Sequence, residues 1–144
     1  MLSVTCKAAI KAVIYLGSKH ELGQKASIGD IATDINENEH TVGKLLQRLV
    51  KAGIINSTKG PSGGFSLDEG QLELPLIQIV EAIDGSGIFS QCGLGLSECT
   101  AARPCPIHFD FKPVRDLFQN LCLGKKIAHL CEPVNEGTSY LMLK

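Results

Sequence analysis

The 144-residue chain has no long apolar run, no strong excess of charge of either sign and no Cys-x-x-Cys pair. Each absence removes a class of function. A membrane-spanning helix needs roughly 20 consecutive apolar residues, and no stretch approaches that, so no membrane partner is expected. Lys7 and Lys11 break the first apolar stretch and no small-residue cleavage site follows. A secretory leader is therefore not expected, and a cytoplasmic location is. With a formal net charge of −1, 44% hydrophobic and 20% charged residues, the chain has the composition of a folded globular protein. Overall charge points to no polyanionic partner. No Ser/His/Asp set and no phosphate-binding glycine loop accompanies the thiols, so an enzyme is not expected.

What is present is unevenly placed. Residues 1–68 carry eight Lys/Arg against six Asp/Glu, whereas residues 69–144 carry six against nine. Between His40 and Leu67 there are four basic residues and no acidic one. Of six cysteines, Cys92, Cys99 and Cys105 gather with His108 into seventeen residues, a set of four soft-to-borderline ligands. In a reducing compartment, clustered cysteines serve as metal ligands or catalytic thiols more often than as disulfides. The segment from Gly85 to Pro106 is rich in Gly, Ser and Pro without helix or strand periodicity, and reads as one long loop. A loop of that length is functional or disordered, and a bound metal would order it. Three cysteines and one histidine serve both iron–sulfur clusters and structural zinc. The close Cys pairs usual for zinc are missing, and both metals stay open.

The first half reads as a run of helices. Ala8, Ala9, Ala12, Val13 and Leu16 suit a well-buried first helix. Ser27-Ile-Gly-Asp30 has the spacing of a capping box, and Ile28, Ile31, Ala32 and Ile35 form the stripe of a short second helix. After a polar turn, Asn36-Glu-Asn-Glu39, comes a third, with Val42, Leu45, Leu46, Leu49 and Val50 on one face and Thr41, Lys44, Gln47, Arg48 and Lys51 on the other. A solvated basic face is the bland reading of such a helix. The alternative is the helix-turn-helix pattern of DNA-binding proteins. Gly53–Lys59 has strand composition, Gly60-Pro-Ser-Gly-Gly64 is a turn, and Phe65–Leu67 returns as a second strand, which makes the unit a winged helix.

On DNA, base-edge contacts are assigned to His40, Thr41, Lys44 and Gln47, at the end of the third helix that usually enters the major groove. Arg48, Lys51 and Lys59 would neutralise phosphates, and Ser62 and Gly63 at the wing tip would present backbone amides. Leu76, Ile77, Val80 and Ile83 then mark a helix that completes the first core, with Pro75 at its start. Phe109, Phe111, Val114, Leu117, Phe118 and Leu121 form a second stripe running to Gly124, in which Pro113 starts or kinks the helix. That stripe has no partner left in a small domain, and the same helix of a second chain would cover it. The expected protein is thus mostly α-helical with a small β-hairpin wing: a winged helix-turn-helix domain at 1–84, a cysteine loop at 85–108, a dimerisation helix region at 109–131 and an irregular tail at 132–144. A symmetric dimer predicts a palindromic double-stranded DNA operator.

Leu45-Leu-Gln-Arg-Leu-Val-Lys-Ala-Gly53, then Lys59-Gly-Pro-Ser-Gly-Gly-Phe65, Val80-Glu-Ala-Ile83 and the cysteines with Cys105-Pro-Ile-His108 together resemble the bacterial winged-helix regulators of the IscR and NsrR type. The resemblance covers nearly the whole length. It implies a dimeric DNA-binding transcription factor with an iron–sulfur cluster in each subunit's loop. In the IscR branch three Cys and one His hold a 2Fe–2S cluster, which implies that role for Cys92, Cys99, Cys105 and His108. Other branches hold a 4Fe–4S cluster with an acidic fourth ligand near the partner's N-terminus. This chain has Lys7-Ala8-Ala9 there and no acid before Glu21. Cys6 is a further thiol in that region. Two other classes stay in play: a cytosolic thiol enzyme or cluster carrier using Cys99 or Cys105, and a winged helix used for protein contact with a structural metal.

Overall fold

Eight of the seventeen residues of helix α1 (Val4–His20) are buried, and they make this helix the centre of the molecule. In the computed structural model, which describes residues 1–141, four helices pack on it: α2 (Ile28–Ile35), α3 (Glu39–Lys51), α5 (Ile77–Asp84) and α7 (Ile127–Asn135). Small residues make that possible. Ala8, Ala9 and Ala12 are buried, and a Cβ on Gly17 would overlap the Cys131 sulfur of α7.

The helix-turn-helix is set by side-chain caps. Ser27 and Asp30 form the capping box of α2, each side chain accepting from the other residue's backbone N–H at 3.1 Å. Asn36 ends α2 at φ 55, a left-handed position that asparagine tolerates. Asn38 Oδ1 then accepts from the amides of His40 (2.7 Å) and Thr41 (3.2 Å) and starts α3. Val42, Leu45, Leu46 and Leu49 bury the inner face, with Val50 half-buried at its edge.

The wing is shorter than its composition suggests. Strands β1 (Asn56–Thr58) and β2 (Gly64–Ser66) pair antiparallel with Ser57 opposite Phe65. Ile54 and Ile55 leave the strand for the core, where they are fully buried. Phe65 also exchanges two backbone hydrogen bonds with Ala26, which ties the wing to the residue before the α2 cap. At the tip a Cβ on Gly63 would overlap the Thr58 carbonyl, so the turn closes only with glycine there.

Three elements lie where periodicity predicts none: one turn before α5, one at the head of the cysteine segment, and α7. Helix α4 (Glu69–Leu72) is a single turn closed by Asp68 and Gln71, and buried Gln71 donates to Gly53 O (3.1 Å) and Asn56 Oδ1 (2.9 Å) under the wing. A 3-10 turn at Ser86–Phe89 opens the cysteine segment. Helix α6 (His108–Gly124) begins at His108 and carries Pro113 inside it, so the proline does not start it. After α6 the chain returns: Leu76 N donates to Lys125 O (2.7 Å) and Ile127 N to Leu74 O (2.9 Å), and α7 buries Ile127 and Cys131 on α1. Helix therefore extends past Pro133 to Asn135. Residues 142–144 of the expected tail lie outside the described residues. Among the described residues no helix is long and apolar enough to cross a membrane.

Candidate metal centre and nucleic-acid interface

The loop between α5 and α6 brings three thiols together. The sulfurs of Cys92, Cys99 and Cys105 all lie within 4.8 Å of one another. His108 joins at one edge, its Nδ1 3.2 Å from Cys99 Sγ, while Cys92 Sγ and Cys105 Sγ are 3.6 Å apart. The three sulfurs thus form one cluster, and His108 lies outside that group of three, touching it at Cys99.

Local structure accounts for this convergence. Phe89 is buried and its ring centroid lies 5.7 Å from that of Phe118 on α6, which fixes the start of the segment. Arg115 Nη1 donates to Gln91 O at 2.6 Å, one residue before Cys92. Gly93 lies so close to Phe111 and Ile107 that a Cβ would approach the Phe111 ring to 2.9 Å. Thr100 and Arg103 exchange backbone bonds in a tight turn, and His108 N donates to Cys105 O (3.1 Å) as α6 begins. Backbone amides face sulfur: Leu94 N is 3.4 Å from Cys92 Sγ and Cys105 N is 3.3 Å from Cys99 Sγ. The amides of Leu96 and Leu94 pull the Cys92 thiol down to about 7, so a thiolate is accessible near neutrality. Burial pushes the Cys105 thiol up. A hollow of about 330 Å³, lined among others by Leu96, Cys99, Arg103 and Cys105, opens the site to solvent. This donor chemistry suits a thiophilic metal: clustered sulfur, amide donors that stabilise thiolate charge, and one imidazole.

The remaining cysteines stand apart. Cys6, Cys122 and Cys131 are buried in the core, and burial raises Cys6 to about 12 and Cys131 to about 11. They are packing residues in the neutral thiol form, and Cys6 lies outside the metal-ligand group.

On the opposite part of the chain, His40, Thr41, Lys44 and Gln47 are all exposed along α3. His40, Lys44 and Gln47 share an open hollow of about 430 Å³ with Ile28, Gly43 and Glu39. Glu39, in the first turn of α3, sets an acid among these residues. Lys51, Lys59 and Ser62 are exposed, the last two at the wing tip. Two expected contacts are placed differently. The Gly63 amide donates to Gly60 O (2.9 Å) inside the turn. Arg48 reaches back from α3, its Nη2 donating to Ile83 O (2.7 Å) and Ala82 O (3.2 Å) at the end of α5.

Residues 2–133 match the family model described as Rrf2, iron-dependent transcriptional regulator. The NsrR regulator of Geobacillus kaustophilus is 25% identical over 125 residues, covering 86% of this chain and 84% of that one. Among solved structures, CymR, the global cysteine regulator of B. subtilis, superposes with a TM-score of 0.75 at 21% identity, over 92% of this chain and 96% of that one. IscR of T. potens superposes with a TM-score of 0.73 at 18% identity, over 97% and 92%. The matches are thus divided among IscR, NsrR and CymR types, which makes the resemblance secure for the family and not for one branch.

Proposed function

The chain belongs to the Rrf2 family of winged-helix transcriptional regulators, and from that premise we propose that it binds promoter DNA as a dimer under the control of a 2Fe–2S cluster held by Cys92, Cys99, Cys105 and His108, as in the IscR branch. It is a regulator, not an enzyme. The observation that carries the reading is the convergence of the Cys92, Cys99 and Cys105 sulfurs within 4.8 Å of one another, with His108 Nδ1 3.2 Å from Cys99 Sγ, on the loop that joins the winged helix to α6. A bound cluster would supply a centre sensitive to redox state and to its own loss. The protein's part is to hold it: an imidazole ligand is protonatable and binds less firmly than a fourth thiolate, which favours a site that can release its cluster.

In this reading His40, Thr41, Lys44 and Gln47 read base edges, Lys51, Lys59 and Ser62 contact the backbone, and Gly63 shapes the wing that carries them. The exposed α6 stripe meets its copy in a dimer, which places two reading helices on a palindrome. Lys51→Ala and Lys59→Ala should each lower the salt slope of binding by about one. Unchanged affinity and slope in both would overturn this docking.

A second reading has its own support. Sulfurs all within 4.8 Å of one another also suit a single tetrahedral zinc, whose ligand sulfurs stand about 3.8 Å apart. Anaerobic isolation separates the two. Coloured protein with iron and acid-labile sulfide is expected, and colourless protein with stoichiometric zinc would sink the cluster. His108→Ala should then weaken cluster retention and change its visible spectrum.

A further inference from the structure

Arg48 is unlike the other basic residues of α3. Its Nη2 donates to the carbonyls of Ala82 (3.2 Å) and Ile83 (2.7 Å), in the last turn of α5, where carbonyls have no partner within their own helix. A cationic donor at a helix C-terminus makes a stronger bond than a neutral one. The next residue, Asp84, accepts from Ser3 N at 2.9 Å and from the Ser3 hydroxyl, so the cap of α1 is fastened to the same turn. The DNA-reading helix, the central helix and the start of the cysteine segment therefore meet at the end of α5.

From that turn the chain runs to Cys92 with little slack. Ser86–Phe89 is a 3-10 turn, and the amides of Ser90 (3.0 Å) and Gln91 (2.8 Å) both donate to Gly87 O. Phe89 is buried against Phe118, and Arg115 grips Gln91 O at 2.6 Å. The stretch 82–92 is thus clamped by Arg48 of α3 at one end and by Arg115 of α6 at the other. Gly85 takes φ 79 where the stretch leaves α5.

We propose that Arg48 is a positioning residue: it ties the DNA-reading helix to the stretch that leads into Cys92, so that a change at the cysteines reaches α3 through the end of α5. This rests on the reading that the cysteine site controls promoter binding, and it assigns Arg48 to coupling instead of to a phosphate. Couplings between sites commonly change affinity by about 5- to 150-fold. The two roles differ in what they do to binding. Loss of a phosphate contact weakens both forms alike and lowers the salt slope by about one. Loss of a coupling residue leaves the slope alone and removes the difference between forms.

The test compares full-length wild type, Arg48→Met and Arg115→Met, each isolated anaerobically with its metal centre and again after the centre is removed. Promoter affinity is measured over a range of salt, and backbone hydrogen exchange of α3 is followed in both forms without DNA. In wild type, affinity and α3 protection are expected to differ between the two forms. In Arg48→Met the affinity ratio should fall to about 1 and the difference in protection should vanish, with the salt slope unchanged. Arg115→Met, on α6 away from the reading helix, should do the same. Arg48→Met with the wild-type ratio retained and a slope lower by about one would overturn the proposal and make Arg48 a phosphate contact. A retained ratio in both variants would overturn it as well. If wild type itself shows no difference between forms, cluster control of binding fails, and this inference with it.

Discussion

Residues 4–84 and residues 85–124 are held together by different means. In the first stretch side chains start α1 to α4, with Ser3, Ser27, Asn38 and Asp68 as caps, and most of the core lies between Cys6 and Ile83, whereas the second adds only Phe89 and Cys122 to it. In the second, the only regular element before α6 is one 3-10 turn, no side chain caps α6, and that helix fully buries only Cys122. Its outer face leaves Leu117 69% and Phe109 63% exposed. The winged helix obtains its stability from burial within its own chain. The cysteine segment is held by a few specific contacts, Arg115 to Gln91, Phe89 to Phe118 and sulfur to amide.

The contrast can be broken at either end. Cys105→Ser should abolish metal retention, measured as bound metal per chain, while thermal unfolding of the winged helix changes little. Leu46→Ala should do the reverse: emptying a fully buried position on α3 costs about 2–5 kcal/mol in chemical denaturation, with metal per folded chain unchanged. Loss of metal in the leucine variant, or collapse of the winged helix in the cysteine variant, would show the two regions to be one cooperative unit. Leu117→Lys is a smaller perturbation of the isolated chain, since the side chain is exposed, and it should shift the sedimentation coefficient from dimer to monomer. An unchanged dimer would move the interface off the α6 stripe.

The same contrast explains what the sequence disclosed. Helices α1 to α3 were legible because apolar spacing marks their buried faces and, for α2, the Ser27–Asp30 box agrees with it, each reporting on local structure. The four candidate ligands were legible as a set because sulfur and imidazole crowd into seventeen residues. Which of them meet was not, since that depends on the Thr100–Arg103 turn and on α6 beginning at His108. Helix α7 was not legible as a separate element, since its nine residues bury only Ile127 and Cys131 and carry Pro133 inside them. The place of Arg48 was equally hidden: its spacing on α3 matches that of a solvent-facing cation, and only the fold brings the end of α5 within reach.

The smallest effect sharpens the comparison from within the winged helix. Ser27→Ala removes one half of the α2 capping box and should cost about 1 kcal/mol. Its pH dependence is also specified. The backbone N–H of Ser27, and then its hydroxyl, hold the Asp30 carboxyl below its ordinary 3.8, so the folded state favours the ionised form. That contribution is fully present above the ordinary value and is lost as the pH falls through the lowered one. Asp30→Asn should therefore flatten the acid limb of the winged helix's stability profile without altering metal retention at neutral pH. Ser27→Ala should flatten it only in part, since the stronger backbone bond remains. An acid limb identical in wild type and Asp30→Asn would mean that the cap adds nothing to the folding of this half, and burial alone would have to account for its independence.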